Sequence, residues 1–268
     1  MARLKELLSS GEVIRLFGVG QLANHKIVQI LGLLGGYHGI WIDQEHAGVT
    51  LREIETLALA CRAHGLDSIV RVEPVHYAAI MRPLEAGAGG IMAAQIRTVQ
   101  DAREVVRWAK FWPEGQRGIN GGGADGHFGM KPLADYAEQA NREVAVAIQI
   151  ETIDAIENLP ELVKIRGIDL FFVGPSDLAQ SLGLIGEFDH PRCFDTIEYV
   201  AQVCNEAGKP WGIVARSPDY ARHWRERGCR VFMVGNDIIA FRRGVENLLA
   251  SFEQVVTKHS PGAPAGEE

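Results

Sequence analysis

Short apolar runs recur along the whole chain, each followed by a segment of helical period, and this alternation restricts the fold more than any other feature. Eight such runs are present, at residues 15–20, 37–43, 67–72, 89–96, 144–150, 168–173, 210–215 and 230–234. Several are continuously apolar, as expected for parallel strands that are buried on both faces. Strict alternation allows an open doubly wound sheet or a closed barrel, and eight units favour the α/β (β/α)8 TIM barrel.

The starts of the predicted helices carry their own signals. Thr50 with Glu53 and Thr98 with Asp101 resemble capping boxes, and Ser217 before Pro218 supplies a side-chain cap followed by a proline. These helices lie between the apolar runs, as βα units require.

A chain of 268 residues matches the size of one barrel domain. We expect a single catalytic domain over residues 1–258 and a flexible tail over 259–268, where prolines and glycines accumulate. Residues 112–131 hold too many glycines for a helix and are predicted to form a long loop, either functional or at a subunit contact.

Charge and composition limit the kinds of partner that the protein could bind. The formal net charge of −7 comes without a basic stripe, so we expect no nucleic acid partner. No apolar run approaches the roughly 18 residues of a membrane span, and we expect no membrane partner. The four cysteines are too far apart for paired motifs and are read as free core thiols in a cytoplasmic protein.

Polar residues collect where the predicted strands end, which in a barrel is the active-site face. The second strand ends in Asp-Gln-Glu-His at 43–46, the third at Arg71, and the fifth in Gln-Ile-Glu at 149–151. The sixth ends in Gly-Pro-Ser-Asp at 174–177. Ionisable groups at the mouth of an apolar barrel destabilise it unless a ligand, metal or opposite charge compensates.

Glu151 and Asp177 follow neighbouring strands and are the candidate metal ligands. Two hard oxygen donors favour Mg²⁺ or Mn²⁺ over zinc, and the oxygens of a 2-oxo acid could chelate such an open-sided ion and let it stabilise an enolate. The alternative is structural, with Asp177 only a helix N-cap and Glu151 a surface acid.

Arg71 and His46 each have a functional and a structural interpretation. Arg71 could neutralise the enolate or carboxylate of a substrate, or simply pair with Glu73. His46 could transfer protons near neutral pH, or be held in hydrogen bonds by its acidic neighbours. The sequence does not favour a Schiff-base mechanism, which requires a lysine at a strand end inside the barrel. All seven lysines fall in predicted helices, loops or a strand start.

Several motifs together resemble the class II, metal-dependent 2-oxo-acid aldolases of the 4-hydroxy-2-oxoheptanedioate and 2-dehydro-3-deoxyglucarate aldolase type. These are Ile-Asp-Gln-Glu-His-Ala at 42–47, Val-Arg-Val at 70–72, Glu-Ala-Gly-Ala at 85–88, Arg-Gly at 117–118, Gln-Ile-Glu-Thr at 149–152, and Gly-Pro-Ser-Asp-Leu-Ala-Gln-Ser-Leu-Gly at 174–183. The similarity extends over residues 16–252.

The resemblance implies a lyase that joins or splits a pyruvate-type 2-oxo acid and an aldehyde, with Mg²⁺, Mn²⁺ or Co²⁺ as cofactor. It implies that Glu151 and Asp177 bind the metal, that Arg71 and Gln149 face the 2-oxo acid, and that the backbone of Gly174, Pro175 and Ser176 holds the substrate carboxylate. His46 would assist proton transfer, in this family through a metal-bound water, and Asp43 would lie near the aldehyde. It also implies a hexameric homo-oligomer in which subunits exchange their last helix.

This sequence departs from the family pattern at two site positions. Glu85 stands where the family commonly has an aspartate that polarises the histidine, and is therefore a candidate catalytic group. The fourth strand ends in Met-Ala-Ala-Gln at 92–95, where the family has a proline-containing apolar stretch. Two other functions stay open: a metal-enolate lyase of the citrate-lyase type, and a non-catalytic metabolite-binding barrel.

Overall fold

The predicted apolar runs form parallel strands that pair in chain order and close into one barrel, which confirms the TIM-barrel prediction. The structure is a computed structural model that describes residues 3–73 and 76–256. Within these ranges the strands are β1 Ile14–Val19, β2 Gly39–Asp43, β3 Asp67–Val72, β4 Gly90–Ala93, β5 Ala145–Ile150, β6 Leu170–Val173, β7 Trp211–Val214 and β8 Val231–Asn236.

The helices alternate with these strands and pack outside them. They are α1 Leu4–Ser10, α2 His25–Leu34, α3 Leu51–Ala63, α4 Tyr77–Glu85, α5 Val99–Ala109, α6 Leu133–Glu143, α7 Ile153–Leu162, α8 Pro175–Ser181, α9 Pro191–Glu206, α10 Pro218–Glu226 and α11 Asp237–Val256. The predicted capping boxes at Thr50 and Thr98 are present, and Ser217 caps α10.

Side chains alternate between two apolar clusters, as the period of a strand requires. On β2, Trp41 points into the barrel interior, whereas Ile40 and Ile42 pack in the layer between strands and helices. The four cysteines are buried and free, as predicted.

Helix α1 closes the amino-terminal end of the barrel. Leu4 and Leu8 pack in the interior cluster with Ile14 and Leu16, and the backbone N–H of Leu4 donates to Asp67 across 2.7 Å. The open end is therefore the one where the strands terminate, which is the end that carries the polar residues.

Two strand ends differ from the prediction. β4 stops at Ala93, and Gln95 two residues later has φ +53°, which takes the chain out of the sheet direction. β8 extends to Asn236 because the pairing of β1 with β8 shifts register between Leu16 and Gly18.

Residues 112–131 are a loop, as predicted, and contain a single 3-10 turn at His127–Gly129. The predicted tail at 259–268 lies outside the described residues. Across the described part of the chain, no helix is long and apolar enough to cross a membrane. Helix α11 exposes large apolar side chains, namely Phe241, Leu248, Leu249, Phe252 and Val255.

Candidate active site

A cavity of about 270 Å³ opens where the strands end. Seven of the ten predicted site residues line it: Asp43, Arg71, Gln149, Gly174, Pro175, Ser176 and Asp177. Glu151 lies against Gln149 and Gly174, and His46 lies at the rim beside Glu45. Glu85 is the one predicted residue that lies elsewhere.

Arg71 is fixed by acids of the neighbouring strand end. Its Nε is 3.0 Å from Oδ1 of Asp43, its Nη2 is 2.7 Å from Oδ2, and its Nη1 is 3.1 Å from Oε2 of Glu45. The guanidinium also lies over the ring of Trp41, 5.1 Å from its centroid. Glu73 is exposed, and no Arg71–Glu73 ion pair occurs among the described residues. The predicted structural pair of Arg71 with Glu73 was therefore wrong, because Arg71 pairs with Asp43 and Glu45.

Asp43 links the arginine to the loop that carries His46. Burial acts to raise the pKa of Asp43, but the hydrogen bonds and charge of Arg71 outweigh it and hold that pKa below its ordinary value. Oδ1 also accepts from the backbone N–H groups of Glu45 and His46, at 3.1 and 3.2 Å. This turn fixes the path of the chain after β2.

Glu45 is a site residue that the sequence reasoning did not single out, although it lies within the Asp-Gln-Glu-His motif. Its Oε2 is buried without a hydrogen bond in the described structure, 3.1 Å from Nη1 of Arg71 and 3.8 Å from Nε2 of His46. Burial raises its pKa, the charges of Arg71 and His46 oppose the rise, and those of Asp177 and Asp43 add to it.

Glu151 is fully buried, so the interpretation of this residue as a surface acid was wrong. Its Oε1 accepts from the backbone N and from Nε2 of Gln95, at 2.8 and 3.3 Å. Its Oε2 accepts from Nε2 of Gln149 at 2.8 Å. Burial raises its pKa to about 7; the Gln95 N–H opposes the rise, whereas the charges of Asp177 and Glu45 add to it.

Gly174 permits the close approach of Glu151 to β6. A Cβ at this position would lie 2.3 Å from Oε2 of Glu151 and 3.0 Å from Nε2 of Gln149. Only glycine lets the start of α8 pass directly over that carboxylate.

Asp177 lies in the first turn of α8 and lines the cavity, whereas the N-cap is Gly174. The interpretation of Asp177 as only an N-cap was therefore wrong. The negative charge of the Asp177 carboxylate raises the pKa of Glu151.

The donor set fits a hard divalent cation. Glu151, Asp177 and Glu45 bring like charges together at a buried position, and Oε1 of Gln149 is buried there without a partner among the described residues. A cation would compensate this charge. Within the described ranges, no group of three or more His, Cys, Asp or Glu residues has the arrangement of a metal cage.

His46 is exposed at 58% of its side chain and reaches solvent at the rim. Its backbone carbonyl accepts from Nε2 of Gln21 at 3.3 Å. The main chain of His46 is thus linked to Gln21, which lines the cavity, and its exposed ring lies beside Glu45.

Glu85 lies at the end of α4, five residues before β4 begins at Gly90, and hence near the opposite end of the barrel. Burial raises its pKa, with opposition from Arg117, a buried arginine that pairs with Asp125 at 2.6 Å. Within one chain the structure does not bring Glu85 to His46.

Asp237, a polar residue at the end of the eighth strand, was given no role from the sequence. It is buried and accepts from the backbone N–H groups of Gly20, Leu22 and Ile238, at 2.8, 2.7 and 2.7 Å. These contacts fix the loop after β1 against the start of α11 and so shape one wall of the cavity.

The closed parallel barrel, with a polar cluster and a cavity at the ends of its strands, defines a (β/α)8 protein with a candidate active site in the position usual for this fold. The chain belongs to the HpcH/HpaI aldolase/citrate lyase family, whose model matches residues 19–243. This family includes 2-oxo-acid aldolases and is metal-dependent.

Comparisons with individual proteins also indicate this family. A 5-keto-4-deoxy-D-glucarate aldolase from Klebsiella pneumoniae subsp. pneumoniae is 30% identical over 233 residues, or 87% of this chain and 90% of its own. The HpcH/HpaI aldolase from Desulfitobacterium hafniense DCB-2 superposes with a TM-score of 0.87 at 28% identity, covering 96% of this chain and 100% of that one. A family protein from Burkholderia cenocepacia J2315 has a TM-score of 0.86 at 31% identity, covering 93% and 98%.

Proposed function

We propose that this protein is a metal-dependent aldolase that forms or breaks the carbon-carbon bond between a pyruvate-type 2-oxo acid and an aldehyde. The observation that carries the proposal is the buried Glu151 carboxylate, which lies against the cavity residues Gln149 and Gly174. Asp177 and the fixed guanidinium of Arg71 line the same cavity. This arrangement supplies a cation site and a fixed positive charge at one place.

Glu151 and Asp177 would hold the cation, for which their oxygen donors suit Mg²⁺, Mn²⁺ or Co²⁺. When bound, the ion would supply Lewis acidity toward the ketone and carboxylate oxygens of the 2-oxo acid. The remaining requirements of the reaction fall on the side chains of this chain.

Arg71 and Gln149 bind the 2-oxo acid in this proposal. Arg71 is 12% exposed, and its rigid planar donors can neutralise charge that grows on an oxygen as the bond breaks. Gln149 has a buried amide oxygen without a partner in the described structure and an Nε2 that already points at Glu151. Both side chains line the same cavity, so one guanidinium and one amide can contact the 2-oxo acid.

The first turn of α8 holds the substrate carboxylate. Pro175 has no N–H, and the N–H groups that follow, of Ser176 and Asp177, are free of helical partners at the start of a helix. Gly174 brings this turn close to Glu151, so the carboxylate would lie beside the cation site.

His46 moves protons at the rim, and Asp43 lies toward the aldehyde. The histidine has both solvent access and a carboxylate neighbour, Glu45, at 3.8 Å. Glu85 can polarise His46 only from a neighbouring copy, because within one chain it lies near the other end of the barrel.

A homo-oligomer, hexameric by family resemblance, is part of the proposal. The apolar side chains that α11 exposes would be covered if subunits exchanged this helix.

The test is the exchange of the C3 protons of pyruvate, followed by proton NMR in D2O. We expect exchange with Mg²⁺, none after chelation, and aldol product once an aldehyde is added. Glu151→Ala should lose the exchange, and Glu157→Ala, which removes an exposed acid of α7, should keep it. Turnover of an acyl thioester without pyruvate exchange would indicate the citrate-lyase type. Pyruvate binding with neither reaction would indicate a binding barrel.

A further inference from the structure

Gln95 combines an unusual backbone with an unusual set of contacts. It is a non-glycine residue at φ +53°, just past the end of β4. Left-handed conformations at residues with a side chain are sparsely populated and persist where the surroundings enforce them, often at functional sites.

Both donors of Gln95 converge on one atom. Its backbone N–H and its Nε2 lie 2.8 and 3.3 Å from Oε1 of Glu151, a residue 56 positions later in the chain. The other carboxylate oxygen, Oε2, accepts from Nε2 of Gln149. The Glu151 side chain is thus held at both oxygens.

These contacts decide which oxygen stays free to bind a ligand. An ionised carboxylate offers about four lone-pair positions. Two are used at Oε1 and one at Oε2, so the remaining position belongs to Oε2. This is also the oxygen that lies against Gly174, at the start of α8 that carries Asp177.

We propose that Gln95 is a positioning residue whose side-chain amide fixes the Glu151 carboxylate so that Oε2 faces the divalent cation. This inference rests on the proposed function, in which Glu151 and Asp177 hold that cation.

The sheet does not depend on the Gln95 side chain. β4 pairs with β3 and β5 only as far as Ala93, and the last backbone contact of this segment to β3 is the N–H of Ala94 donating to Val72. Ala94 and Ile96, on either side of Gln95, are fully buried and hold the segment in place. Removal of the amide should therefore leave the fold intact.

The experiment measures the Mn²⁺ dissociation constant without substrate, by the EPR signal of free Mn²⁺, together with the melting temperature. Gln95→Met keeps the backbone N–H and the approximate size but removes the amide. We expect Mn²⁺ affinity to fall about 10-fold, the range seen when an outer contact to a metal ligand is lost. The melting temperature should stay unchanged, and kcat should recover at saturating Mn²⁺.

Gln100→Met is the matched control, because Nε2 of Gln100 also donates to a glutamate, Oε1 of Glu104 at 2.8 Å, on the exposed face of α5. It should leave Mn²⁺ affinity unchanged. If Gln95→Met fails to fold, Gln95→Gly removes the same amide with a residue suited to positive φ.

Wild-type Mn²⁺ affinity in the Gln95 variant would overturn the inference, and so would a lower melting temperature with unchanged affinity. Glu151→Ala distinguishes failure of the metal site from failure of the Gln95 positioning role. If wild-type protein binds no Mn²⁺, or if Glu151→Ala binds it equally well, the metal site and with it the role of Gln95 are wrong. If only Gln95→Met behaves as wild type, the proposed function stands and the positioning role alone fails.

Discussion

The guanidinium of Arg71 meets the carboxylate of Asp43 at two points, with Nε 3.0 Å from Oδ1 and Nη2 2.7 Å from Oδ2. The two residues are register partners at the ends of β3 and β2. Because the contact uses two fixed donors, the remaining face of the guanidinium keeps a single orientation toward Glu45 and the cavity.

The first prediction concerns Arg71→Lys, which keeps the charge and loses the planar fork. We expect kcat for aldol cleavage to fall about 10²-fold, as when a preorganised contact to a developing oxyanion is lost. Steady-state kinetics measure this. Arg97→Lys changes an exposed arginine paired with Asp154 at 3.0 Å and should have no effect. Unchanged kinetics in Arg71→Lys would leave Arg71 with only a structural role beside Asp43.

The second prediction concerns Gly174→Ala. A methyl group there would lie 2.3 Å from Oε2 of Glu151, so the carboxylate must move. We expect Mn²⁺ affinity to fall about 10-fold or more, measured by calorimetry. Gly244→Ala is the control, since a Cβ at Gly244 meets nothing within 4 Å. Wild-type affinity in Gly174→Ala would show that the position of Oε2 does not matter for the cation.

The third prediction is that His46→Ala slows both aldol cleavage and C3 proton exchange while metal affinity changes little. The side chain is 58% exposed, and its nearest charged partner is Glu45 at 3.8 Å, so it is not part of the buried cluster around Glu151. The idea fails if metal affinity drops as far as in Glu151→Ala while exchange per metal-loaded site stays normal.

The fourth prediction follows from the raised pKa of Glu151, about 7 against an ordinary 4.5. A raised carboxyl pKa means that the folded metal-free protein favours the protonated form. Protonated Glu151 therefore stabilises the folded protein relative to the unfolded chain below pH 4.5, and this stabilisation is lost as pH rises through about 7. Metal binding requires the ionised carboxylate, so the metal affinity increases as pH rises toward about 7.

Two titrations check this pH dependence. Melting temperatures of metal-free protein from pH 5 to 8 should fall more steeply for wild type than for Glu151→Gln. Mn²⁺ affinity should rise up to tenfold per pH unit below about 7 and then level off. Identical pH profiles for the two proteins, or a flat Mn²⁺ affinity, would contradict the assignment.

Much of the site could be predicted because it depends on where strands end. The alternation of apolar runs places Arg71, Gln149 and Asp177 at one end of a barrel, and the structure brings all three to one cavity. The cap at Thr50 is equally local, since its signal lies within four residues.

Other features depend on contacts between distant segments. Arg71 pairs with Asp43 instead of Glu73 because the register of β2 with β3 sets these two side by side. The hydrogen bonds from Gln95 to Glu151 join residues that are 56 positions apart. The positive φ of Gln95 has no signal in the sequence Met-Ala-Ala-Gln. The place of Glu85 follows from the direction of α4, which carries it away from the site.

The most direct test of the central claim is a pyruvate-release assay on an aldol of pyruvate, with chelator and, separately, with borohydride in the presence of substrate. Stabilisation by a metal requires a divalent cation and forms no imine. We therefore expect activity to disappear on chelation, to return with Mn²⁺ or Mg²⁺, and to survive borohydride. Activity that resists the chelator and is lost on borohydride treatment would contradict the account.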